Sequence, residues 1–147
     1  MNNFYKIVTF FSISALFALI AMKLESTFVD KFSESILALL TTLFAINIAS
    51  STLIAGKVRE IQNLTGHPFT KTKKNLKTSF YEQIIFIGVA LFASLLRDSL
   101  YLTNLLDAQY LKLICDTLLF LSFIYYIDII RDIGKALFDL LEYDNKE

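Results

Sequence analysis

Four long apolar runs, separated by short polar segments, dominate the pattern of this chain. They cover about 4–22, 35–56, 83–106 and 113–130. The second run holds 22 residues without a charge, which as a helix crosses about 30 Å of hydrocarbon. The charges inside the other three runs are Lys6, Arg97, Asp98, Asp116 and Asp128. The pattern predicts four transmembrane helices.

Composition agrees with a membrane protein. Hydrophobic residues make up 55% of the chain and charged residues 19%, with a mean hydropathy of +0.55, whereas soluble domains carry about 25% charge. The strands of a membrane β-barrel alternate apolar and polar residues, and the run 84–96 does not alternate. We therefore expect an all-α polytopic membrane protein with a single four-helix domain over residues 1–147.

The first run has to be distinguished from a secretory signal. Residues 1–6 contain one lysine, and 18–22 lead into Lys23 without a small-x-small cleavage site. We interpret the run as a retained transmembrane helix.

The distribution of Lys and Arg predicts both termini in the cytoplasm, for a protein of the inner membrane. With the N-terminus inside, ten basic residues lie on the cytoplasmic side and four outside, which follows the positive-inside rule. The ten are Lys6, Lys57, Arg59, Lys71, Lys73, Lys74, Lys77, Arg131, Lys135 and Lys146. We also expect Tyr81, Tyr125 and Tyr126 in an interfacial belt at the inner boundary.

Two cytoplasmic extensions, 57–82 and 131–147, are predicted to be largely helical. Apolar residues continue there at helical spacing, at Val58, Ile61 and Leu64 and again at Ile133, Leu137 and Leu141. Gly66 is expected to end the first extension as a helix C-cap. The return segment is a helix either from Thr70 or from a capping box at Ser79. The extensions either pack into a helical stalk, which we favour, or lie on lipid headgroups.

Arg97 and Asp116 are predicted to form a buried ion pair. Charged residues inside a membrane are costly and usually paired. Arg97 lies about four residues inside the outer end of the third helix if that helix continues past it, and Asp116 lies at similar depth on the fourth. Asp98 is a further candidate member of the pair. The pair either fixes the register of two helices, which we favour, or belongs to an ion path.

Polar and small residues recur every fourth position on the second helix. Asn47, Ser51 and Ala55 form one such series, and Thr41 and Ala45 belong to another. Small residues at this spacing let membrane helices approach closely, and an amide near the midplane can bond across the contact. This face is either a packing seam or the lining of a pore in an oligomer. Because four short spans hide little polar surface, we expect the seam to lie between subunits of a homo-oligomer.

Other candidate chemistry is sparse. A basic cluster on the cytoplasmic side is expected to bind membrane lipid headgroups or a partner protein rather than nucleic acid. Its members are Lys71, Lys73, Lys74 and Lys77. We see no glycine-rich phosphate loop, nucleophile elbow or metal-binding array, so we expect no enzyme, no catalytic residue, no cofactor and no metal site. Cys115 is the single cysteine, which rules out an intramolecular disulfide.

One segment resembles a known family. Thr42–Arg59 reads TLFAINIASSTLIAGKVR, a helix with scattered polar residues that continues into a basic extension. With four spans and a short charged tail, it resembles the membrane component of the lambda prophage exclusion system (the RexB type) and, more broadly, small membrane effectors of bacterial antiphage systems. The resemblance implies an oligomeric inner-membrane effector of abortive-infection type. Such an effector perturbs the membrane or conducts ions when a cytoplasmic sensor protein triggers it.

Two other functional classes remain to be weighed. Small four-helix multidrug transporters are similar in helix count, but they rely on a buried carboxylate in the first helix, and 7–22 contains none. A non-conducting membrane anchor or scaffold subunit of a larger complex is the alternative that the cytoplasmic extensions fit equally well.

Overall fold

The computed structural model describes residues 3–24, 27–66, 68–97, 99 and 107–144, and every element in them is an α-helix. The helices are α1 (Asn3–Lys23), α2 (Phe28–Thr65), α3 (Thr70–Arg97) and α4 (Ala108–Asp144). Each is long and apolar enough to cross a membrane. The predicted all-α class with four candidate spans is confirmed at this level.

α4 is the central helix. It packs against each of the other three, whereas α1 packs almost entirely against α4. Half of the residues in the apolar stretch of α4 are buried, against 11% in that of α1. α1 is therefore a peripheral helix that presents most of its apolar surface outwards.

The helix directions follow from the contacts between them. Phe10 and Phe17 of α1 pack on Tyr125 and Phe120 of α4, with ring centroids 5.2 and 5.9 Å apart, so α1 and α4 are antiparallel. We call the end where α1 finishes and α2 begins the loop end. The opposite end, where α2 finishes and α3 begins, is the stalk end.

The interior contains two apolar clusters at different depths. The outer layer, nearer the loop end, has Ile36, Leu40, Ala90, Ala93, Leu119 and Tyr126 as its buried members. The inner layer, nearer the stalk end, is built on Ile54, Val58, Ile129 and Ile133. Both layers join α2 to α4, and the outer layer also includes α3.

The extensions past the inner layer pack together as a stalk. α2 is 38 residues long, about 57 Å at 1.5 Å per residue, which exceeds a bilayer core of about 30 Å. Phe69 before α3, Leu76 of α3 and Leu137 of α4 pack against the inner layer. We call this part, residues 57–65, 69–82 and 131–138, the stalk. Phe138 on its surface is exposed.

The end of α2 has the predicted glycine cap. Gly66 adopts φ 69°, and its N–H donates to the carbonyl of Gln62 at 2.9 Å. That left-handed conformation is readily open to glycine and strained for most other residues. α3 then starts at Thr70, which decides between the two starting points left open by the sequence.

Two helices differ in extent from the predicted apolar spans. α2 starts at Phe28 rather than at Ser35, and α3 ends at Arg97 instead of continuing to 106. Arg97 is thus the last residue of its helix, not a residue one turn inside. Asp30 is accommodated in the first turn of α2 because it pairs with Arg97. Residues 98 and 100–106 lie outside the described part of the chain.

Candidate functional site

Arg97 joins three helices at the loop end. Its Nε donates to Oδ1 of Asp116 at 2.7 Å, and its Nη2 donates to Oδ1 of Asp30 at 2.5 Å. Its Nη1 donates to Oγ of Ser33 at 3.3 Å. The Arg97 side chain is only 6% exposed. Its planar guanidinium donates hydrogen bonds to two carboxylates and a hydroxyl, a geometry for which Arg is well suited.

The structure places Arg97 and Asp116 together, as the depth argument predicts. Asp98, the third suggested member, lies outside the described residues. Asp30 is the member that the sequence reasoning missed, because the second span was started at Ser35. The available signal was the spacing of Asp30 and Ser33, which puts an acid and a hydroxyl on one face of a helix that begins earlier.

A second charged network lies near the stalk end. Lys6 of α1 pairs with Asp128 of α4, and Arg131 pairs with Asp128 at 2.7 Å and with Asp132 at 3.0 Å. Asp128 is buried, so its charge is matched by two cations. Sequence reasoning named none of these as site residues, although the spacing of Asp128 and Arg131 is the signal for an i,i+3 helical pair. The network fastens the otherwise peripheral α1 to α4.

Three further buried side chains each have a polar atom without a hydrogen-bond partner among the described residues. Asn47 is 3% exposed, Ser51 4% and Gln83 0%. Asn47 Nδ2, Ser51 Oγ and Gln83 Nε2 make no hydrogen bond with any described residue. The hydroxyl of Tyr126 donates to Gln83 Oε1 at 3.4 Å. We call Asn47, Ser51 and Gln83 the polar centre.

Asn47 and Ser51 are buried within the protomer, whereas the sequence analysis expected them at a contact between subunits. Both lie on the face of α2 that also buries Leu40 and Ile54 against the other helices. Of the series Asn47, Ser51 and Ala55, the first two members therefore belong to the protomer's own interior.

The rest of the proposed seam is on the outside. Thr41, Ala45 and Ala55 are exposed. The Thr41 hydroxyl donates to the carbonyl of Leu37 at 2.8 Å, so its polar atom is satisfied within the helix. These three positions remain available to a partner helix.

The basic cluster lies on the exposed surface of the stalk. Its four members are Lys71, Lys73, Lys74 and Lys77. Lys73 donates to Gln62 Oε1 at 2.8 Å, and Lys77 lies 5.9 Å from the ring centroid of Tyr81. The first contact ties α3 to the end of α2.

The structure also locates the single cysteine and one of the tyrosines that were expected at the membrane boundary. Cys115 is a buried free thiol. Tyr126 was expected at the membrane boundary, but it is fully buried in the outer layer, since the hydroxyl finds a partner in Gln83. Among the described residues no group of three or more His, Cys, Asp or Glu side chains is placed to hold a metal ion.

The fold and these polar groups define a class: an α-helical chain with four helices suited to cross a membrane and with charged networks at both ends of its core. Comparisons with protein-family models, curated proteins and solved structures find no match for it.

Proposed function

We propose that the chain is a multi-pass protein of the inner membrane, with both termini cytoplasmic, that raises membrane permeability when a cytoplasmic partner acts on its stalk. The polar centre carries this proposal. A buried donor or acceptor without a partner costs about 1–3 kcal/mol, and polar residues inside a membrane usually mark a pathway. Water entering an open form would satisfy Asn47, Ser51 and Gln83.

In the present conformation the polar centre is closed off from both sides. Along α2 the order is Ile36 and Leu40, then Asn47 and Ser51, then Ile54 and Val58. Along α2 the outer and inner layers thus bracket Asn47 and Ser51, and Gln83 contacts Tyr126 of the outer layer. Apolar constrictions of this kind block ions by excluding water, and opening requires the helices to separate at both layers.

The stalk supplies the point at which a trigger acts. Its packing is continuous with the inner layer, because Leu76 and Leu137 contact the same cluster as Ile54 and Ile129. A partner that shifts the stalk therefore strains the inner layer first. The exposed lysines of α3 would hold the stalk against anionic headgroups. The resemblance of 42–59 to antiphage membrane effectors supports the same reading, with a sensor protein as the trigger and a homo-oligomer as the assembly.

Membrane potential tests the proposal. Cells that express the protein, alone or with its genomic neighbour, should lose the potential reported by a voltage-sensitive dye. Asn47→Leu should abolish that loss, because it removes a polar group from the pathway and fills the space with an apolar side chain. Thr52→Leu, one turn away on the exposed face of α2, is the matched control and should still depolarise. Equal depolarisation by both variants would contradict the role of the polar centre.

A scaffold role is the second candidate, and one observation favours it. The charges that the structure describes in the apolar core are ion-paired, at Arg97 with Asp30 and Asp116 and at Lys6 with Asp128. Such pairs hold the helices in one arrangement. If no condition depolarises cells and the protein co-purifies stoichiometrically with a partner through the stalk, the scaffold role stands instead.

A further inference from the structure

An apolar groove opens sideways near the loop end. It lies between α1 and α2, has α4 as its floor, and encloses about 520 Å³. The aromatic side chains that shape it are Phe17, Phe28, Phe32, Phe120 and Phe123. The ring of Phe120 lies 5.9 Å from that of Phe17 and 5.3 Å from that of Phe32, so it bridges the two walls. We call this the lateral groove.

A cavity with charged side chains adjoins the lateral groove at the loop end. It encloses about 290 Å³ and is lined by Asp30, Arg97, Lys112 and Asp116 among others. Ala21 lines both spaces, and Asp116 is one helical turn from Phe120. The two spaces therefore adjoin, and we call them together the crevice. Along α4 the cavity is lined by residues between 109 and 116 and the groove by residues between 120 and 127, so the charged part of the crevice lies nearer the loop end. An apolar groove beside a charged cavity suits an amphiphile, which has an apolar chain and a polar headgroup.

The crevice has the length of one lipid leaflet. From Lys112 at its top to Ile127 at its foot, α4 rises about 22 Å. Half of a bilayer that is about 40–45 Å thick with its headgroups is about 20–22 Å. The groove and the cavity also have volumes of the size that ligand pockets usually have, about 300–1,000 Å³.

The charges at the top of the crevice favour a zwitterionic headgroup. Arg97 spends its donors within the protein, whereas Lys112 is exposed and forms no ion pair with a described residue. Lys112 is thus the cation available to a phosphate. Asp30 keeps a side chain that is 54% exposed and can accept an ammonium group. Two carboxylates and two cations line the cavity, so a zwitterion leaves the site neutral.

We propose that the crevice binds one phospholipid with an ethanolamine headgroup, from the leaflet at the loop end. Its phosphate is bound by Lys112, its ammonium by Asp30, and one acyl chain fills the lateral groove. The inference rests on the proposal that the helices cross a bilayer and makes no assumption about permeability.

The chain has no tryptophan, so a single introduced one reports its local lipid. Ile127→Trp places the probe at the foot of the groove. Ile85→Trp is the matched control, because Phe86 stacks on Tyr125, which sets Ile85 at a similar depth on an exposed face. Both variants are reconstituted in phosphatidylcholine vesicles that contain brominated phosphatidylethanolamine as a minor component, and quenching is compared.

We expect the Ile127→Trp variant to be quenched well above the Ile85→Trp variant. Adding Lys112→Gln should lower the apparent lipid affinity about tenfold, the loss expected for one charge-assisted hydrogen bond. Lys31→Gln, at the same end but outside the crevice, should leave it unchanged. Equal quenching at the two probes, or a preference for brominated phosphatidylcholine or phosphatidylglycerol, would overturn the proposal. A failure of the protein to insert into the membrane gives a different result. In that case no brominated lipid quenches the Ile85→Trp control.

Discussion

At the scale of single residues, Arg97 makes the contacts that join three helices. Its guanidinium binds carboxylates from α2 and α4 while it sits at the end of α3. The two acids differ in surroundings, because Asp116 is buried whereas Asp30 is 54% exposed. Removal of the Arg97 guanidinium therefore leaves the Asp116 carboxylate buried without a cation, whereas the Asp30 carboxylate remains in contact with solvent or headgroups.

Arg97→Leu should lower the free energy of unfolding by about 3–5 kcal/mol, the usual loss when one partner of a buried pair is removed. Arg97→Leu combined with Asp116→Leu should recover much of that loss. Asp30→Asn alone should cost only about 0–1 kcal/mol, because exposed pairs are screened. Thermal unfolding in detergent, followed with a thiol-reactive dye that reaches Cys115 only on unfolding, measures all three. A double variant no more stable than Arg97→Leu would show that the pairing is wrong.

Depth along a helix predicted the contact of Arg97 with Asp116, because antiparallel neighbours bring equal depths together. It missed Asp30 because hydropathy assigned the segment before Ser35 to a loop. The segment 28–34 holds Asp30, Lys31 and Glu34, so its hydropathy is low even though Arg97 neutralises Asp30. Tertiary pairing of this kind is not visible in one segment of sequence.

At the scale of elements, α2 has two different faces. One buries Asn47 and Ser51 in the protomer, and the other exposes Thr41 and Ala45. The repeat of small and polar residues was visible in the sequence, but which series faced inwards was not. In a membrane, lipid-facing and core-facing side chains are equally apolar, so hydropathy does not distinguish the two faces.

The exposed series predicts where a second copy would pack. In a Cys115→Ser background, Ala45→Cys should form disulfide-linked dimers in membranes on mild oxidation, because small residues there allow close helix approach. Ser51→Cys should not crosslink, because that position is 4% exposed within the protomer. This reverses the expectation drawn from the sequence. Efficient crosslinking at position 51 with none at 45 would place the subunit interface on the face that the structure buries.

At the scale of the whole molecule, the four helices are not equivalent, because α4 packs against each of the other three. The number of helices followed from the apolar runs, since each run is long enough to be a span. The central position of α4 did not follow, because all four runs have similar hydropathy. The central position depends on which helix carries the side chains that pair with the other helices. α4 carries Asp116, which pairs with Arg97 of α3, and Asp128, which pairs with Lys6 of α1.

The orientation of this molecule in the membrane underlies the stalk, its trigger and the lipid crevice together. Fusion of reporters to the full chain measures it directly. A fluorescent protein that matures only in the cytoplasm should glow when fused after Glu147, and alkaline phosphatase at the same position should be inactive. Phosphatase inserted after Leu24, at the loop end, should be active. Active phosphatase after Glu147, or inactive phosphatase after Leu24, would contradict the four-span arrangement with a cytoplasmic stalk.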